Sequence, residues 1–174
     1  MTMTDTEIRQ QVENRLDSLL TIVQARTFDF KLPDLYYYDN KLCAGEARGS
    51  TRMGLNMVHL RENTDSMIHE TVAHELAHLV VYHCWLLDGG RRPKPHGREW
   101  RDVMRNWFHV EPETTHSYDD TNVNAKRQNT WEAACSCTVH HITTTKQMNI
   151  AMGKRRYKCR SCGDLISLTG KKAS

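Results

Sequence analysis

The chain has 174 residues, a hydrophobic fraction of 39%, a mean hydropathy of −0.68 and a formal net charge of +3. That length buries one core, or one core and a small module, and no apolar run approaches a membrane span. The opening MTMTDTEIRQ lacks the apolar centre of a secretory signal, so the expected location is cytoplasmic, and the six cysteines read as thiols or metal ligands rather than disulfides.

Thr4-Asp5-Thr6-Glu7 has the form of a capping box and predicts an amphipathic helix to about Ala25, with Ile8, Val12, Leu16, Leu19, Leu20 and Val23 as its apolar stripe. Leu32-Pro33-Asp34 breaks that pattern. Three strands are expected next, at Leu35–Tyr38, Ala44–Arg48 and Thr51–Val58, the last two joined at Gly49-Ser50 and all three forming a small antiparallel sheet. Met53-Gly54-Leu55-Asn56 is the expected free edge, against which an extended peptide could pair by its main chain.

Asp65–Trp85 predicts a buried helix, capped by Asp65 or Ser66, with Ile68, Val72, Leu76 and Leu79 on one face and Gly89 as its stop. His74-Glu75-Leu76-Ala77-His78 lies within it. Residues four apart share a helix face, so His74 and His78 can offer imidazole nitrogens to one ion, and Glu75 falls beside them. A zinc hydrolase needs that arrangement: the ion acidifies a bound water and the carboxylate takes its proton. Ten histidines make a chance HExxH conceivable, but the helical frame and a third histidine within reach favour a metal site. Leu86–Pro95 reads as a basic loop, and Trp100, Val103, Met104 and Trp107 predict a further helix. His96, where loop meets helix, can complete a three-histidine set that leaves one position open for water.

His109–Thr130 is polar and aperiodic and reads as a connector, with His109 and His116 as surface histidines. Beyond it, Cys135-x-Cys137 and Cys159-x-x-Cys162-Gly163 form a four-thiolate set with no open position, the signature of structural zinc. His140 or His141 could replace one of these cysteines. Val139–Thr144 and Tyr157–Lys158 supply the strands of a zinc ribbon that the metal staples together. Cys43 and Cys84 remain as unpaired thiols. The expected divisions are 1–112, a connector at 113–130, and a ribbon at 131–174.

The net charge conceals a split. Residues 1–120 hold 14 Lys and Arg against 19 Asp and Glu, a net −5, whereas residues 121–174 hold 10 against 2, a net +8. A basic module points to a polyanion, with nucleic acid first. Within it Lys154, Arg155, Arg156, Lys158 and Arg160 surround Tyr157, which offers phosphate contacts together with a ring for stacking on single-stranded DNA.

HELAH at 74–78, His96-Gly97-x-x-Trp100 and the Cys-x-Cys and Tyr157-x-Cys159-x-x-Cys162-Gly163 pairs, in that order, resemble the SprT-like family of zinc metalloproteases. The resemblance covers the chain from the metal helix onward. It implies an α+β, zincin-like protease domain followed by a zinc ribbon, with catalytic zinc on His74, His78 and His96, Glu75 as general base, and structural zinc on Cys135, Cys137, Cys159 and Cys162. The family includes the Spartan-type proteases, which cut proteins crosslinked to DNA and act when DNA is bound. The expected partners are a protein substrate and DNA, the expected state is a monomer, and the location widens to nucleoid or nucleus. Two other readings compete: a DNA-binding zinc protein whose HExxH site is not catalytic, and a general peptidase without DNA dependence. Glu75 favours an enzyme over the first, since a purely structural site has no use for an acid beside the metal, and the charge split argues against the second.

Overall fold

The computed structural model describes residues 3–40, 42–115, 118, 121–123 and 130–172. Two compact units are present, Met1–Ala125 and Lys126–Ser174. No helix among the described residues is long and apolar enough to cross a membrane.

Helix α1 (Asp5–Gln24) opens the first unit. The capping box forms: the Thr4 hydroxyl accepts from the Glu7 backbone N–H at 3.3 Å, and the Glu7 carboxylate accepts from the Thr4 N–H at 2.7 Å. The same six apolar residues expected from the spacing are buried on its inner face, where α1 packs against the metal helix. Further on, the turn after Arg48 is tight, with Gly49 at φ 60° in the left-handed region.

The sheet holds β1 (Asp34–Tyr38), β2 (Gly45–Arg48) and β3 (Arg52–Asn56) in the order β1-β3-β2. It is mixed, not antiparallel: β1 runs parallel to β3, and β2 antiparallel to it. Met53 and Leu55 are wholly buried and belong in the middle of the sheet, so the β2–β3 hairpin docks by its second strand and β3 lies between two half-buried neighbours. The Met53–Asn56 stretch is therefore the central strand and not the free edge. That edge is β2, beside the metal helix. Gly54 adds a local device: its missing side chain makes room for the Tyr36 ring, whose hydroxyl crosses β3 to donate to Glu46 Oε1 at 2.5 Å. The third strand stops at Asn56 rather than Val58, because the Asn56 side chain accepts from Val58 N–H at 2.9 Å and caps α2 (Met57–Glu62).

The metal helix begins earlier than expected, in a turn α3 (Thr64–Ser66), and continues through a π-helical turn (Met67–Thr71) into α4 (Val72–Asp88). Asp65 and Ser66 are inside it and are not its caps. Val72, Leu76 and Leu79 are buried and Ile68 is half-buried; Gly89 ends the helix at φ 72°, so Leu86–Asp88 belong to α4 and the loop begins at Gly89. The next helix, α5 (Arg98–Asp102), also passes into a π turn (Val103–Trp107), with Trp100, Val103 and Met104 in the core.

In the second unit, β4 (Thr130–Ala134), β5 (Val139–Thr143) and β6 (Ser167–Lys172) pair in the order β5-β4-β6, all antiparallel, with helix α6 (Thr144–Ala151) between β5 and β6 in sequence. Tyr157–Lys158 is not a strand. Only an isolated bridge, Lys158 to Leu165, forms there, because the intervening residues are taken up by the cysteine turn. The third strand is Ser167–Lys172.

Candidate metal centres

The side chains of His74, His78 and His96 converge from α4 and from the loop entering α5. Their Nε2 atoms stand 3.2 Å (His74–His78), 3.0 Å (His78–His96) and 3.0 Å (His74–His96) apart. A tetrahedral zinc with Zn–N of about 2.0–2.1 Å spaces its nitrogens by about 3.3 Å, so this donor set fits one ion. Imidazoles bind metal in the neutral form, and burial favours it here: the His78 pKa is pushed down to about 4, by burial first and by His96 second, and burial also lowers His96.

Three local features hold the triangle. His96 takes a left-handed backbone, φ 54°, that turns its ring back toward α4. Gly97 comes next because a Cβ there would stand 2.9 Å from the Lys94 carbonyl oxygen. Trp100 is fully buried and serves as the common floor: its ring centroid lies 4.7, 5.6 and 4.7 Å from those of His74, His78 and His96, and its indole N–H donates to the His74 carbonyl at 3.2 Å. The sequence marks Trp100 only as an apolar helix position within the His96-Gly97-x-x-Trp100 motif; its role as a platform is a tertiary fact.

Glu75 is buried beside His74 at 7% exposure. Burial pushes its carboxyl up to about 8, the nearby Glu46 adds to the rise, and a hydrogen bond to the Ala47 backbone opposes it. A cation on the three histidines would draw it down again. The edge strand β2 makes this placement possible. A Cβ on Gly45 would stand 2.6 Å from Glu75 Cγ, 2.8 Å from its Oε1 and 2.9 Å from Thr71 Cγ2. Gly45 and Ala47 are thus part of the site, and nothing in the sequence signals them. The cleft over the histidines has a volume of about 530 Å³, with β2 on one side and Arg92, Lys94 and Pro95 on the other.

Tyr118 also belongs to this unit, although it falls in the stretch expected to be a connector. Its hydroxyl lies 2.9 Å from Ser66 Oγ and 3.4 Å from Thr71 Oγ1. His109 is exposed; His116 is outside the described residues, as is much of the stretch from 116 to 129.

In the second unit Cys135, Cys137, Cys159 and Cys162 place their sulfurs within 4.8 Å of one another. Cys135–Cys137 and Cys137–Cys159 are 3.5 and 3.7 Å apart, against about 3.8 Å for sulfurs on a tetrahedral zinc with Zn–S of about 2.3 Å. Backbone donors in the turn favour thiolates at Cys159 and Cys162, whereas hydrogen bonds with the neighbouring cysteines push the Cys137 thiol up to about 12. Backbone N–H groups of Cys162 and Ser161 pull the Cys159 thiol down to about 6, and the Asp164 backbone lowers Cys162. Gly163, at φ 80°, permits the reversal after Cys162. All four cysteines are present in the cluster, and His140 Nε2 stands 3.2 Å from Cys135 Sγ, where it can support that sulfur. Lys154, Arg155, Arg156, Lys158 and Arg160 are exposed. Tyr157 is half-buried, with its hydroxyl accepting from Asn149 Nδ2 at 3.1 Å. Cys43 and Cys84 are free thiols.

Residues 16–116 match the SprT-like family. The chain belongs to that family. Protein SprT of Pasteurella multocida (strain Pm70) is 34% identical over 159 residues, covering 89% of this chain and 90% of that one. Protein SprT of Yersinia enterocolitica is 37% identical over 145 residues, covering 83% and 81%, and Protein SprT of Klebsiella pneumoniae (strain 342) is 38% identical over 135 residues, covering 77% and 76%. These relatives therefore extend the likeness of this SprT-like chain well past the family match and across most of its length.

Gly45→Ala should destabilise the first unit by about 1–3 kcal/mol in urea unfolding, the range for a forced methyl in a packed site. In a Glu75→Ala background the same substitution should cost clearly less, because two of the three atoms that it meets are gone. Additive costs would show that Gly45 and Glu75 do not press on each other.

Proposed function

We propose that this protein is a zinc-dependent endopeptidase with a zincin-like catalytic unit, whose ribbon holds a second, structural zinc and attaches the enzyme to DNA. The carrying observation is the triangle of Nε2 atoms at 3.0–3.2 Å with a buried carboxylate on the adjacent residue. Zinc held there supplies a Lewis acid that acidifies water and polarises a peptide carbonyl. Three protein ligands leave it an open position, whereas four thiolates in the ribbon leave none.

Glu75 is the general base. It takes the proton of the attacking water and delivers it to the leaving amine, and its carboxylate lines the cleft beside Gly45 and Ala47. The outer edge of β2 offers main-chain groups to an extended peptide, so substrate is aligned by its backbone. Family membership supports the hydrolytic reading. Attachment to DNA rests on the net charge of +8 over residues 121–174 and on the exposed cations at 154–160, with single-stranded DNA preferred because bases there are open to stacking. A tethered protease meets DNA-bound or crosslinked proteins at high local concentration and needs little selectivity of its own.

Two experiments test this. Metal analysis should give two zinc equivalents per chain, with Cys159→Ser losing one and His96→Ala weakening the other. Glu75→Gln should keep both and lower peptide hydrolysis by about 10²–10⁴-fold; near wild-type turnover in that variant would remove Glu75 from the reaction.

For the ribbon, replacing Lys154, Arg155 and Arg156 together with Gln should weaken binding of a single-stranded oligonucleotide and flatten the plot of log affinity against log salt by about 2, as loss of three phosphate contacts requires. An anisotropy titration that matches wild type at two salt concentrations would place the nucleic-acid contacts elsewhere.

A further inference from the structure

Two hollows open onto Glu75. One is the cleft of about 530 Å³ over the histidines, which runs past Glu46 and Gly49 beneath Arg92 and Lys94. The other, of about 320 Å³, runs past Leu42 and Ala44 to His59, Thr115 and Tyr118. Gly45, His74 and Glu75 line both. The stretch 42–49 therefore passes along both hollows, which meet at Gly45, His74 and Glu75 while His78 and His96 line only the first, and β2 within it is an edge strand whose outer side pairs with no strand among the described residues.

The two ends differ in chemistry. The first carries Glu46, Arg92 and Lys94. Among the described residues, the second carries no Asp, Glu, Lys or Arg except Glu75; beyond the shared Gly45 and His74, its walls are Leu42, Cys43, Ala44, His59, the Tyr118 ring and the threonine pair 114–115. An anionic substrate side chain entering it would lose hydration and face the Glu75 carboxylate, and a cationic one would pair with the carboxylate that serves as base. Tyr118 is a fixed wall. Its hydroxyl is held by Ser66 and Thr71, and its ring lies 5.5 Å from that of His59. Ser66 and Thr71 are five residues apart and reach one phenol because the π turn between them, closed by Val72 N–H to Met67 C=O, brings residues at that spacing into line.

We propose that the two hollows are the halves of one substrate groove, and that Thr114, Thr115 and Tyr118 form the subsite for the side chain immediately on one side of the scissile bond. This subsite selects uncharged, apolar side chains. Arg92 and Lys94 act on residues on the other side of the bond. The inference rests on the proteolytic reading above and adds the substrate preference of that site.

The test uses the zinc-loaded 174-residue chain with and without single-stranded DNA, a mixed-sequence peptide library, and mass spectrometry of the cut positions. Wild type should favour uncharged apolar residues at one position flanking the cut. Thr115 is exposed, so Thr115→Trp fills the subsite without entering the core; cuts with Leu, Phe or Met at that position should fall about tenfold or more relative to Gly, Ala or Ser. Tyr118→Ala should flatten the preference at the same position. Arg92→Glu with Lys94→Glu should change preferences on the opposite side only. The subsite is overturned if Thr115→Trp and Tyr118→Ala cut with the wild-type pattern, or if the two sets of variants alter the same side. A zinc-loaded wild type that cuts no peptide in the library overturns the proteolytic reading and the subsite together.

Discussion

The site depends on how closely α4 can lie against β2. At Gly45 the strand offers no side chain, and Glu75 fills the space to within a distance that a Cβ would not survive. That contact puts the carboxylate of an HExxH helix against an edge strand, so the base and the substrate-aligning strand of the proposed reaction would share one surface. The remaining parts act around this contact. Trp100 floors the imidazoles, Asn56 ends β3 so that the chain can turn into α2, and the α1 stripe backs α4 from the other side.

The two π turns described in the first unit adjoin the three-histidine cluster and its Trp100 floor. One precedes Val72, two residues before His74; the other begins at Val103, three residues after Trp100. A π turn inserts a residue and rotates the helix beyond it, which decides which face of α4 meets the sheet and how Trp107 is offered to the core. In the first case it also aligns Ser66 with Thr71, and through them fixes Tyr118. Tyr118, in a stretch that looks like a connector in sequence, is thereby drawn into the first unit.

The features legible in the sequence are those that depend on neighbours along the chain. The Thr4–Glu7 box, the α1 stripe, the pairing of His74 with His78 and the Cys159–Gly163 turn each arise from spacing within a few residues. His96 is legible because a loop ending in His-Gly before a helix has little else to do. Sheet order is not: parallel pairing of β1 with β3 is set by which strand buries Met53 and Leu55, and the alternation of polar and apolar residues is the same in either arrangement. Gly45 and Tyr118 act only through residues far away in sequence, and Trp100 reaches His74 and His78 as well as its neighbour His96. In the ribbon, α6 is capped by Thr143 without the acidic residue of a full capping box, and the β6 sequence SLTGKK carries no clear alternation, so neither element stands out in the sequence while the cysteines around them do.

The proposed peptide hydrolysis requires zinc in the three-histidine site. The decisive measurement is to strip the full-length protein with a chelator and titrate zinc back while monitoring cleavage of an unstructured peptide and zinc occupancy of the same sample. Hydrolysis should vanish with the metal and return in proportion to occupancy of the site that His96→Ala weakens. Cleavage that persists in the stripped protein, or that stays absent once both sites are filled, would contradict it.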